Sequence, residues 1–201
     1  LNEGVAVKRR PSILIGTVIA LACGVPTATG ASTTAIARSS SAFTSNGSAD
    51  ASPTIERGYI TVRDGTQLQF TLERPARPGR FPTLLNFAGY NSGSNVESSA
   101  PPIADDLLAE GFAIIGVNVR GSGCSGGAFE VFDPRWALDG YDVIEWIAHQ
   151  RWSTGKVGMF GASFPGILQL QVAATRPPHL RAFAPLSTLG DTYRDISHPG
   201  G

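Results

Sequence analysis

With 201 residues, 42% of them hydrophobic and 16% charged, the chain has apolar material for one sizeable core and too little length for two. Lys plus Arg and Asp plus Glu each number 16, so no basic surface of the kind nucleic acid requires is implied, and no nucleic-acid partner is expected. Two cysteines and three histidines are too few and too scattered for ligand spacing, so neither a metal nor a cofactor is expected.

The first segment reads as an export signal. Lys8, Arg9 and Arg10 precede an apolar run from Ile13 to Val25, which is shorter than the ~20 residues that cross a bilayer as a helix. Small residues at Thr27-Ala28-Thr29-Gly30-Ala31 offer a cleavage site, so residues 1–31 are assigned as a signal peptide and the protein as secreted or cell-envelope. The alternatives are an uncleaved anchor or a lipid anchor at Cys23, whose Ala20-Leu21-Ala22-Cys23 loosely resembles a lipobox. The only methionine is Met159, so no initiator is present. Removal of the signal leaves Cys124 as a lone thiol, either buried or paired outside the chain.

Residues 32–57 are rich in Ser, Ala and Thr and read as a disordered linker, with order beginning near Gly58. Period-two alternation on both sides of Asp64-Gly65-Thr66 predicts a β-hairpin from Tyr59 to Leu72. Short apolar runs then alternate with helical patterns. Strands are expected at Thr83–Phe87, Ala113–Val119, Lys156–Phe160 and Ala182–Leu186. Helices are expected at Ile103–Glu110, Trp136–Gln150 and Gly166–Thr175, stopped by glycine or proline. This alternation predicts an α/β fold with a mostly parallel sheet covered on both faces, entered through a hairpin, in an α/β-hydrolase-like order.

Two glycine-rich turns compete for function. Gly121-Ser122-Gly123-Cys124-Ser125-Gly126 spells the dinucleotide-binding G-x-G-x-x-G directly after a strand. Such a site needs the loop to open a helix whose N-terminus holds the pyrophosphate, and here Ala128 to Pro134 intervenes. A dinucleotide-dependent oxidoreductase is therefore the remote alternative.

The second turn is Phe160-Gly161-Ala162-Ser163-Phe164-Pro165-Gly166, close to the G-x-S-x-G elbow of serine hydrolases. An elbow serine needs small neighbours at −2 and +2 because strand and helix approach closely there. Gly161 meets the first demand, and Gly166 is placed to meet the second one position late. Pro165 suits a first helical turn, although it should push Phe164 away from helical geometry. The N–H of Phe164 survives as an oxyanion donor. The competing explanation for Ser163 is a helix cap.

Two further runs, Phe112 to Gly127 and Leu138 to Trp146, accompany the elbow, which itself sits in the run Val157 to Gly166. With Ala184-Pro185-Leu186-Ser187 and Pro199-Gly200-Gly201, they resemble the cocaine esterase/X-prolyl dipeptidyl-peptidase (CocE/NonD) family of α/β-hydrolases over residues 58–201. The resemblance implies the N-terminal part of such a domain, without its last strands. It implies Ser163 as nucleophile, Phe164 N–H as one oxyanion donor and the hydroxyl of Tyr90 as the other. It further implies a small-molecule ester or X-Pro-type peptide substrate and a triad Asp and His beyond the 38 residues that follow Ser163. His149, His179 and His198 are poor substitutes for that base, so a truncated, inactive remnant or a binding module stands as the alternative to an active enzyme. Oligomeric state cannot be read from the sequence.

Overall fold

A computed structural model describes residues 52–93, 104–191 and 193–199. The signal peptide, the lipid-anchor candidate Cys23 and most of the linker lie outside the described residues. Six strands form one sheet: β1 (Thr54–Thr61), β2 (Gln67–Arg74), β3 (Phe81–Ala88), β4 (Ala113–Asn118), β5 (Ser153–Ala162) and β6 (Leu180–Leu186). Helices α1 (Ala104–Ala109), α2 (Arg135–Ala148) and α3 (Phe164–Ala174) connect the last four. β1 starts at Thr54, inside the stretch expected to be linker, because its first residues pair with the far end of β2, Thr54 opposite Arg74.

The sheet order is β1-β2-β4-β3-β5-β6. β1, β2 and β4 run antiparallel to one another in turn, and β4, β3, β5 and β6 are parallel. The hairpin closes where expected. Val62 and Thr66 extend the ladder, and Gly65 takes φ +85°, a left-handed turn position suited to glycine.

Alternation along β4 separates two cores. Ile115 and Val117 join the main cluster with Val143, Ile144 and Ile147 of α2 and Leu168 and Val172 of α3. Ile114 faces the other way, against Leu108 of α1. Every residue of β4 is accordingly buried, as a strand covered on both faces should be. β6 departs from that expectation. Among the described residues it pairs only with β5, and Phe183 and Leu186 are exposed. Among the described residues no helix is long and apolar enough to cross a membrane.

α3 begins at Phe164, two residues ahead of the expected start at Gly166. The restriction that Pro165 places on Phe164 is overridden because Ile167 N–H bonds Ser163 O at 2.9 Å, closing the first turn around the proline.

Candidate functional site

The parallel strands β3, β4 and β5 all deliver their C-terminal ends to one edge of the sheet, where an α/β fold leaves room for a ligand. Ser163 stands there, between the last residue of β5 and the first of α3. Its backbone takes φ +65° and ψ −123°, a region that non-glycine residues rarely occupy and that costs on the order of 1–3 kcal/mol. Two main-chain bonds hold it there: Ser163 N–H to Leu186 O at 3.0 Å, and Ile167 N–H to Ser163 O.

A helix-capping serine would have extended dihedrals and an oxygen bonded to the second or third helical N–H. Ser163 has neither, and its side chain makes no cap bond. Pro165, at the second helical position, has no N–H to offer. The residue is exposed, so its hydroxyl stands clear of the sheet.

Close approach explains the glycines on each side. A Cβ on Gly161, whose φ is +144°, would lie 2.7 Å from Pro165 Cβ and 3.0 Å from Asn86 Nδ2. A Cβ on Gly166 would lie 2.2 Å from Leu186 O. The tight strand–helix contact expected at +2 thus falls at +3, and Pro165 packs against Gly161 instead.

Phe164, the first residue of α3, has an N–H with no intrahelical acceptor. Its ring is the centre of an aromatic group. Trp136 meets it edge-on at 5.2 Å between centroids, Tyr90 at 5.5 Å and Phe129 at 6.4 Å. The structure therefore brings Tyr90, from the loop after β3, against the residue next to Ser163. Tyr90 is 59% exposed and Phe129 46%, so both rings present surface to solvent beside the elbow.

The Tyr90 loop is stapled from beneath. Ser92 Oγ donates to Asn86 Oδ1 at 2.7 Å, Gly93 N–H donates to Asn118 Oδ1 at 2.8 Å, and Thr71 Oγ1 donates to Gly93 O at 2.7 Å. Asn86 and Asn118 are buried at the ends of β3 and β4. Sequence reasoning passed over both. The available signal was an asparagine inside or closing an otherwise apolar strand, a placement that demands a partner.

Arg120, just beyond β4, was also passed over. It is 3% exposed and forms two bonds to Asp139 of α2, at 2.6 and 2.7 Å, and a third to Asp64 at the hairpin tip, at 2.9 Å. The fork ties hairpin, glycine loop and α2 into one frame. Its carboxylate partners hold the guanidinium well above its ordinary range, led by Asp139, which accepts two of its bonds. Thr66 N–H and Arg120 hold Asp64 well below the usual carboxylate range. Burial pushes Asp139 upward, and the bonds from Arg120 oppose it. Asp133, beside the aromatic group, is lowered by its bonds to Arg135.

The glycine loop is not a phosphate cradle. The N–H groups of Gly121, Ser122, Cys124, Ser125 and Gly126 are already bonded to Gly126 O, Val119 O, Gln69 Oε1, Ser122 O and Gln67 O. After this loop no helix opens before Arg135. The dinucleotide alternative fails on both counts. Cys124 in this loop is exposed, which removes the option that it is buried.

His149 and His179 lie together, away from the elbow. His179 O accepts the N–H of Val157, whereas Ser163 meets Leu186, so the seven-residue β6 places His179 about 20 Å from the elbow's end of the sheet. Its Nδ1 lies 2.7 Å from Glu145 Oε2, and its ring packs on His149. His198 follows β6 and stacks on Tyr193. Among the described residues no histidine hydrogen-bonds Ser163.

A mixed sheet in this order, with an uncapped, strained serine at the end of an inner parallel strand, defines an α/β-hydrolase fold. The sequence profile of the X-Pro dipeptidyl-peptidase (S15) family matches residues 64–201, and the chain belongs to that family. It is 34% identical over 146 residues to the cocaine esterase of Rhodococcus sp. (strain MB1 Bresler), a match covering 71% of this chain and 25% of the esterase. A CocE/NonD family hydrolase of Staphylococcus aureus superimposes with a TM-score of 0.65 at 32% identity, over 71% of this chain and 29% of its own. Acetyl xylan esterase 1 of Thermoanaerobacterium sp. shares the fold alone, with a TM-score of 0.55 at 20% identity over 72% of this chain and 55% of its own. The chain spans about a quarter of the length of the curated relatives it matches.

Proposed function

We propose that the protein is an exported serine hydrolase that cleaves an ester or an X-Pro-type amide through an acyl-enzyme on Ser163. Ser163 Oγ would attack the carbonyl carbon, expelling the alcohol or amine with a proton, and water would then release the acid. Phe164 N–H and Tyr90 O–H would stabilise the oxyanion. The observation that carries this reading is the strained, exposed and uncapped backbone of Ser163, since a fold has no packing reason to hold a serine there. The N-terminal basic and apolar segments support export.

Removal of the Ser163 proton needs a base. No histidine among the described residues bonds Ser163, and a non-catalytic remnant or binding module is the second reading. Turnover of p-nitrophenyl acetate and of a Gly-Pro anilide by the complete gene product separates the two. The enzyme predicts hydrolysis of at least one, abolished by Ser163→Ala. A folded protein that turns over neither supports the remnant.

A further inference from the structure

We infer that Asn86 is a positioning residue that fixes the Tyr90 loop to the serine elbow, an inference that rests on the hydrolase reading above. Asn86 is 4% exposed near the end of β3, the strand that leads into the loop. Its amide faces two ways. Nδ2 donates to Phe160 O at 3.3 Å, three residues before Ser163, and Oδ1 accepts from Ser92 Oγ at 2.7 Å, two residues after Tyr90. The same Nδ2 lies 3.0 Å from where a Cβ on Gly161 would stand, so the bare glycine is what lets this amide lie against the elbow. Ser92 is 1% exposed, which makes the Asn86–Ser92 bond a dry one. A buried amide and hydroxyl in contact have strong directional preferences, so they set where the loop sits rather than merely filling space.

The second anchor of the loop, at Gly93, runs to Asn118 and Thr71 on β4 and β2. Among the described residues, only the Asn86 anchor also touches β5. It is therefore the bond through which a displacement of the loop would change the distance between the Tyr90 hydroxyl and Ser163. An oxyanion donor acts over a few tenths of an ångström, so losing its alignment removes much of what deleting it removes.

The test is a mutant cycle on the complete gene product. Asn86→Ala and Ser92→Ala are each expected to lower kcat about 10- to 100-fold with KM within about threefold. Ser92→Thr, which keeps the hydroxyl, should recover most of the loss. Adding Asn86→Ala to Tyr90→Phe should lower kcat less than about threefold further, because without the hydroxyl there is nothing left for Asn86 to align. Losses that multiply independently, or an Asn86→Ala enzyme with wild-type kcat, overturn the inference. Turnover that survives Ser163→Ala overturns the hydrolase reading instead. Hydrogen exchange supplies an activity-independent arm. Asn86→Ala should speed exchange at residues 89–93 more than tenfold while the β4 amides hold, and a uniform rise or no rise counts against it. Ser92→Ala carries the same measurements should Asn86→Ala not fold.

Discussion

Gly166 lies directly against Leu186: a Cβ on the glycine would meet the leucine carbonyl at 2.2 Å, and that carbonyl is the one that accepts the Ser163 N–H. The helix after the elbow, the strand beside it and the strained serine therefore share one atom. Gly166→Ala should push α3 off β6 and weaken the bond that holds Ser163. Overpacking of this kind costs roughly 1–3 kcal/mol, read as a lowered urea midpoint with an unchanged slope. Hydrolysis should fall further than stability alone requires. A Gly166→Ala protein with full stability and full turnover would remove the close contact from the account.

Arg120 and Asp139 are expected to behave as a buried pair. Arg120→Met leaves the Asp139 carboxylate, 1% exposed, without its two charge-assisted bonds. Breaking a buried pair from one side costs about 3–5 kcal/mol, whereas replacing both partners by apolar residues should return much of it. Chemical denaturation of Arg120→Met, and of Arg120→Met combined with Asp139→Leu, compares the two.

Acid should unfold the protein partly through Asp64 and Asp133. Both carboxyls sit below their ordinary value of 3.8 in the folded chain, Asp64 through Thr66 N–H and Arg120, Asp133 through Arg135. A depressed folded value means the contribution is fully present above that ordinary value and is lost as pH falls through the folded one. Denaturation midpoints should therefore drop below about pH 4. Asp64→Asn should flatten the dependence, and an unchanged profile would show that these bonds add nothing in solution.

Tyr90→Phe isolates the hydroxyl. The ring contact with Phe164, 5.5 Å between centroids, is kept, so the melting temperature should not move. Loss of one oxyanion donor should lower kcat about 10²- to 10³-fold. An unaffected kcat would make Tyr90 an ordinary loop aromatic.

Much of this fold was legible in the chain, because hydrophobic periodicity reports what each strand and helix buries. Ala113–Asn118 reads as a covered strand because it is one, and Asp64-Gly65 reads as a turn because glycine accepts the positive φ required there. β6 reads as a covered strand for the same reason, and among the described residues it pairs with β5 alone. The elbow was legible in its glycines, with the proline shifting the close contact from +2 to +3. The supports were not. Asn86, Asn118 and Arg120 act across separations of 6 to 74 residues, and no local pattern records which distant donor or acceptor will pair with them. The placement of His149 and His179 at the far end of the sheet likewise follows from strand direction, which periodicity alone does not give.

The measurement that bears most directly on the central claim is the mass of the complete gene product after treatment with a fluorophosphonate, followed by peptide mapping. An adduct on the peptide carrying Ser163, absent from Ser163→Ala, is the predicted result. No adduct at Ser163, or labelling that persists in Ser163→Ala, would contradict the assignment of Ser163 as the nucleophile.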